Sequence, residues 1–173
     1  MVERRDRDDH GMSRALREII IRAVAEAQHR GDSVVEAEHL LLSLSRETGS
    51  PAAGALDAAG LDHAGIEAAL RAERAASLAS AGVAPIDEER LAAMPRIGRP
   101  RWGTSARDVL ARAHRESART RNRAAETDLL AAILGLDLGT VPRAIALAGV
   151  DREAVLAHAG AESAPGSPGA RRR

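Results

Sequence analysis

The residues able to do chemistry in this 173-residue chain are acids, arginines, hydroxyls and six histidines. The histidines stand at 10, 29, 39, 63, 114 and 158, with no pair at i, i+4 and no cysteine anywhere, so the spacing offers no metal site. The absence of cysteine also removes disulfides and thiolate nucleophiles. Lysine is missing too, which excludes a lysine-bearing phosphate loop and Schiff-base chemistry. Serine and histidine are present, but no local motif presents a serine to a base and an orienting partner. Glu38 and His39 are neighbours. Both have structural readings: a glutamate in a helix's first turn favours the macrodipole, and the histidine can donate to a loop carbonyl. Ser13 likewise reads as a helix N-cap. The inventory points to binding rather than catalysis, with no cofactor.

These residues sit on amphipathic helices. Leu16, Ile19, Ile20, Ala23 and Ala27 step by three and four, the period of one apolar helix face. Gly31-Asp32 ends that helix. A second helix spans about Glu36 to Arg46, with Leu40, Leu41 and Leu44 inward. A third begins at Pro51 and stops at Gly60; a fourth follows Asp62, an N-cap, and carries Ile66 and Leu70.

The pattern is then written again. At a shift of 90, Arg17, Arg22, Ala23, Glu26 and Glu36 fall on Arg107, Arg112, Ala113, Glu116 and Glu126. Leu40 and Leu44 fall on Leu130 and Leu134. After a one-residue gap, residues 56–62 meet residues 145–151 at a shift of 89. The second set of helices is expected at about 105–119, 126–134, 141–148 and 152–158. The fold class is therefore all-α: two tandem, pseudo-symmetric four-helix repeats in one compact bundle. Repeat 1 covers 12–71 and repeat 2 covers 103–158. A linker with a helical turn near 87–94 fills 72–102. Residues 1–11 and 159–173 read as disordered ends.

Composition adds limits. Phe and Tyr are absent and Trp102 is the one aromatic residue, so the core must be built from small aliphatic side chains. No stretch approaches the ~20 apolar residues of a membrane span, and the charged start is unlike a signal peptide, so a cytoplasmic protein is expected. Net charge is zero but uneven. Residues 32–90 carry eleven acids against four arginines, and residues 96–123 carry nine arginines against two acids. Arg107, Arg112, Arg115, Arg119, Arg121 and Arg123 could form a basic face for nucleic acid, the alternative to protein binding. The lack of interleaved aromatics and the zero net charge argue against it.

The segment Glu36-Ala37-Glu38-His39-Leu40-Leu41-Leu42-Ser43-Leu44 resembles the T-E-H-I/L-L-L-G/A-L signature of Clp amino-terminal repeats. Those repeats head AAA+ unfoldases of the ClpA and ClpC type. The short helix ending in Leu-x-x-x-Gly-Leu-Asp is similar as well. The second copy of the motif is Thr127-Asp128-Leu129-Leu130-Ala131-Ala132-Ile133-Leu134, without the histidine. No ATPase signature accompanies the repeats. The resemblance implies a recognition module of the Clp system, an adaptor or decoy that binds protein substrates, adaptors or an unfoldase. The arginine-for-lysine, alanine-rich usage is compatible with a high-GC, actinobacterial-like origin.

The resemblance also implies site residues. Some family members bind phosphoarginine, one per repeat, through the motif glutamate and a threonine near the start of the first helix. Carried over, the first site pairs Glu38 with Ser13, and the second pairs Asp128 with Thr104 or the Gly103 backbone. Asp128 is a methylene short and Thr104 is one position late. Hydrophobic positions ahead of each first helix contact adaptors and cyclic-peptide ligands in the family; here they are Met12 and Trp102. The first repeat is expected to do most of the binding.

Overall fold

The computed structural model describes residues 12–83, 98–120 and 125–163. Helix α1 (Arg14–Arg30) opens on Ser13, whose hydroxyl accepts the Leu16 N–H at 3.0 Å, and closes on Gly31 in the left-handed conformation. Strand β1 (Val34–Val35) precedes α2 (Ala37–Ser45), α3 (Pro51–Ala58) and α4 (His63–Ser80). Proline at the start of α3, with the Ser50 hydroxyl capping Ala53, and the Asp62 carboxylate capping Gly65 set two helix starts where the sequence places them. The second repeat runs through β2 (Arg101–Trp102), α5 (Thr104–Thr120), α6 (Glu126–Leu134), α7 (Thr140–Leu147) and α8 (Arg152–Ser163).

The repeats interlock. Each first helix packs on its own second helix, but α3 packs on α8 and α4 on α7. Third and fourth helices thus trade partners across the pseudo-dyad, and one core cluster runs through both repeats. That core is leucine, isoleucine, valine and alanine. Ala23, Ala27, Ala106 and Ala113 are buried on the two first helices. Buried Ser43 donates to the Ile19 carbonyl at 2.7 Å, a close approach of α2 to α1 that a bulkier side chain would prevent.

Several boundaries differ from expectation. Helix α4 runs to Ser80, well past residue 71, because the Ala-rich stretch is a strong helix former and Glu73 is buried against α7. The assumed linker also ends in secondary structure: β2 pairs in parallel with β1, Val35 opposite Trp102. The Gly103 N–H donates to the Val35 carbonyl at 2.9 Å. Helix α8 continues to Ser163 with Ala159 in the core, so the tail does not begin at 159. The helical turn at 87–94, the ends 1–11 and 164–173, and Arg121 and Arg123 lie outside the described residues.

The repeat register is also corrected. Helix α1 maps on α5 at a shift of 90, but α2, α3 and α4 begin 89 residues before α6, α7 and α8. The single gap therefore falls in the loop between first and second helices, six residues in repeat 1 and five in repeat 2. Two capping contacts show the same alignment. His39 Nδ1 accepts the Glu36 N–H at 2.9 Å, and Asp128 Oδ2 accepts the Ala125 N–H at 2.9 Å, each at the third helical residue. Asp128 is the counterpart of His39, and Thr127 is the counterpart of Glu38.

Candidate functional site

The starts of α2, α5 and α7 converge on an open cleft of about 590 Å³. Glu38 projects from the first turn of α2. Thr104 and Asp108 come from α5, with Arg112 one turn further. The loop before α7 closes the far side with Asp137 and Leu138. Helix starts bring unpaired backbone N–H groups and the positive end of a dipole. Carboxylates nevertheless outnumber cations on these walls. Arg112 donates to the Gly135 carbonyl at 3.1 Å, so its guanidinium is partly engaged in bracing the loop.

Glu38 is half-buried, and its pKa lies above the usual carboxylate value. Burial is the main cause. Its own backbone N–H and His39 oppose the rise, while the Glu36 and Asp32 carboxylates add to it. Among the described residues no ion pair joins Glu38 to an arginine, so its charge is desolvated without a cation.

His39 is structural. It is 1% exposed, and both ring nitrogens are engaged: Nδ1 accepts from Glu36, and Nε2–H donates to Asp32 Oδ2 at 3.0 Å. These bonds tie the start of α2 to the loop leaving α1.

The inherited pairings do not form as the linear alignment suggests. Ser13 caps its own helix and reaches Glu126 Oε2 of the other repeat at 3.5 Å, remote in sequence from Glu38. Thr104, exposed, shares the cleft with Glu38 instead. Asp128 is spent on the Ala125 N–H. The interlocked fold crosses the pairs, bringing the first helix of one repeat to the second helix of the other. Trp102, read from sequence as an accessible contact, is half-buried, packs against the core and pairs with Val35. Met12 is 37% exposed at the entrance to α1.

Sequence reasoning missed Glu36. Its Oε2 accepts the Ser105 N–H at 3.0 Å and the Ser105 hydroxyl, while that hydroxyl's oxygen accepts the Ala37 N–H at 2.8 Å. A signal was available: Gly103 precedes α5 with no side chain to cap it, so the free N–H donors of that helix start needed an acceptor from elsewhere. A Cβ at position 103 would collide with the Glu36 carboxylate, so glycine is what admits it.

Residues 3–85 match the family model described as the Clp repeat (R) N-terminal domain. The first repeat is thus similar to the Clp repeat family. The likeness in fold extends over both repeats. The chain is similar to the N-terminal domain of the caseinolytic-protease-associated chaperone ClpD from Arabidopsis thaliana, with a TM-score of 0.62 and 19% identity over 87% of this chain and 96% of that one. It is also similar to the Hsp104 N-terminal domain from Candida albicans, with a TM-score of 0.60 and 14% identity over 86% and 89%. At these identities the likeness concerns the fold. No curated protein matches the sequence. Among the described residues, no helix is long and apolar enough to cross a membrane, and no cluster of three metal-ligating side chains occurs.

Proposed function

We propose that this chain is a non-catalytic protein-binding module of the Clp protease and chaperone system, an adaptor or decoy, acting in the cytoplasm. Its mechanism is equilibrium capture of an arginine-bearing segment, phosphorylated or not, in the cleft between α2, α5 and α7. The observation that carries this reading is Glu38: a half-buried carboxylate without a cationic partner among the described residues, at the edge of an open cleft. A guanidinium entering there gains a charge-assisted bond and relieves the desolvated charge. Met12 offers an additional apolar contact beside the start of α1.

The test is fluorescence anisotropy of a labelled peptide with a single arginine. Glu38→Ala should weaken binding by about tenfold or more, the worth of one charge-assisted hydrogen bond. Equal binding by wild type and variant would remove the cleft from the function.

The nucleic-acid alternative has less support. Arg107 donates to the Trp102 carbonyl and Arg112 to Gly135, and Arg119 pairs with Glu116, so three of the four described arginines of that face are partly committed within the fold.

A further inference from the structure

We infer that Glu36 is a built-in anion that closes the cleft to phosphate, so that the cleft selects unmodified arginine over phosphoarginine. The inference rests on the reading that the cleft holds the guanidinium.

The most favourable place for a phosphate beside Glu38 is the start of α5, where free N–H groups and the helix dipole meet. That place is already filled. The Glu36 carboxylate, carried by the residue before α2, takes the Ser105 N–H at 3.0 Å and the Ser105 hydroxyl as well. It lies where a side chain at residue 103 would otherwise stand, and Gly103 leaves the space. The charge-assisted cap therefore belongs to the fold, not to a ligand.

The rest of the cleft repeats the preference. Among the described residues, Glu38, Asp108 and Asp137 line it with Glu36, against one arginine, Arg112, already bonded to Gly135. A phosphate, carrying up to two negative charges, would approach four carboxylates and find the Ser105 N–H and hydroxyl occupied. A bare guanidinium meets the same carboxylates as partners. Exposed Thr104 is left to hydrogen-bond the peptide backbone or a neighbouring polar group.

The experiment compares two otherwise identical peptides, one with arginine and one with phosphoarginine, titrated calorimetrically into wild type, Glu36→Gln and Glu36→Ala. The glutamine variant removes the charge and keeps the bulk; the alanine variant clears the space as well. Circular dichroism melts show that each variant is folded at the titration temperature. Wild type should bind the arginine peptide about tenfold or more tighter than the phosphorylated one, and Glu36→Ala should gain about tenfold or more for the phosphorylated peptide, each the scale of one charged contact. Glu36→Gln should fall between. A wild type that prefers the phosphorylated peptide, or one whose preference does not change in either variant, overturns the inference and leaves arginine capture standing. Loss of both peptides in all three proteins overturns both. A phosphopeptide gain confined to Glu36→Ala, with no arginine binding by wild type, overturns arginine capture and the selection that rests on it.

Discussion

Arg143 Nε donates to Glu73 Oε1 at 2.7 Å, tying α7 of the second repeat to α4 of the first. Glu73 is 4% exposed and also accepts the Ser77 hydroxyl at 2.7 Å. Arg143→Ala would leave a buried carboxylate with one neutral donor. The expected cost is about 1–3 kcal/mol, below that of a fully buried pair because the guanidinium is well exposed. Urea denaturation of the folded domain measures it, and an unchanged midpoint would contradict the interlock's dependence on this pair.

The symmetric position tells the converse story. At the shift of 89, Gly54 on α3 stands where Arg143 stands on α7, and Glu162 on α8 stands where Glu73 stands on α4. A Cβ at Gly54 would meet Glu162 Oε2 at 3.0 Å, the end of a flexible, exposed side chain. Gly54→Ala should therefore stabilise by about 0.5–1 kcal/mol through helix propensity and a stiffer unfolded chain. Gly54→Arg should add the missing ion pair, worth a few tenths of a kcal/mol more at this exposed site. Thermal melts should rank arginine above alanine above wild type.

Glu38 couples stability to pH. Its folded-state pKa is raised by burial, so between the ordinary carboxylate value and that raised value the folded protein holds a proton that the unfolded chain has released. Stability falls as pH rises through that window, and the penalty persists above it. Glu38→Gln should raise the melting temperature of the ligand-free domain at pH 7. The gain should shrink as pH falls through that window and vanish below the ordinary carboxylate value, where the wild-type carboxyl is protonated in both states. The same variant should lose arginine-peptide binding, a trade of function for stability.

Trp102 should behave as a packing residue. It sits between the repeats, opposite Val35 in the two-stranded ladder and against the common core. Trp102→Ala should cost about 2–4 kcal/mol, somewhat less than a fully buried tryptophan. Chemical denaturation is the measurement. A loss near zero would return Trp102 to the role of a surface contact.

The legible part of this protein is the part written in local pattern. The caps at Ser13 and Asp62, the proline opening α3 and the Leu/Ala stripes place most helix starts within a residue or two. Helix ends were harder to read. The Ala-rich run after Leu70 has no strong stop signal before Gly82, and a buried Glu73 far from Arg143 in sequence holds it helical to Ser80. The two-residue strands were invisible because a ladder that short is stabilised by its partner and not by its own composition.

By itself the sequence determined an all-α chain built from two related repeats, the kinship of the first with Clp repeats, and the candidate acid at Glu38. Tertiary structure alone decided which residues meet. It set the gap between the first and second helices, making Asp128 the counterpart of His39. It joined Glu38 to Thr104 across the pseudo-dyad and placed Glu36 on Ser105. The physical reason is the exchange of helix partners: periodicity specifies which face of each helix is buried, whereas the partner helix is chosen by packing over the whole core.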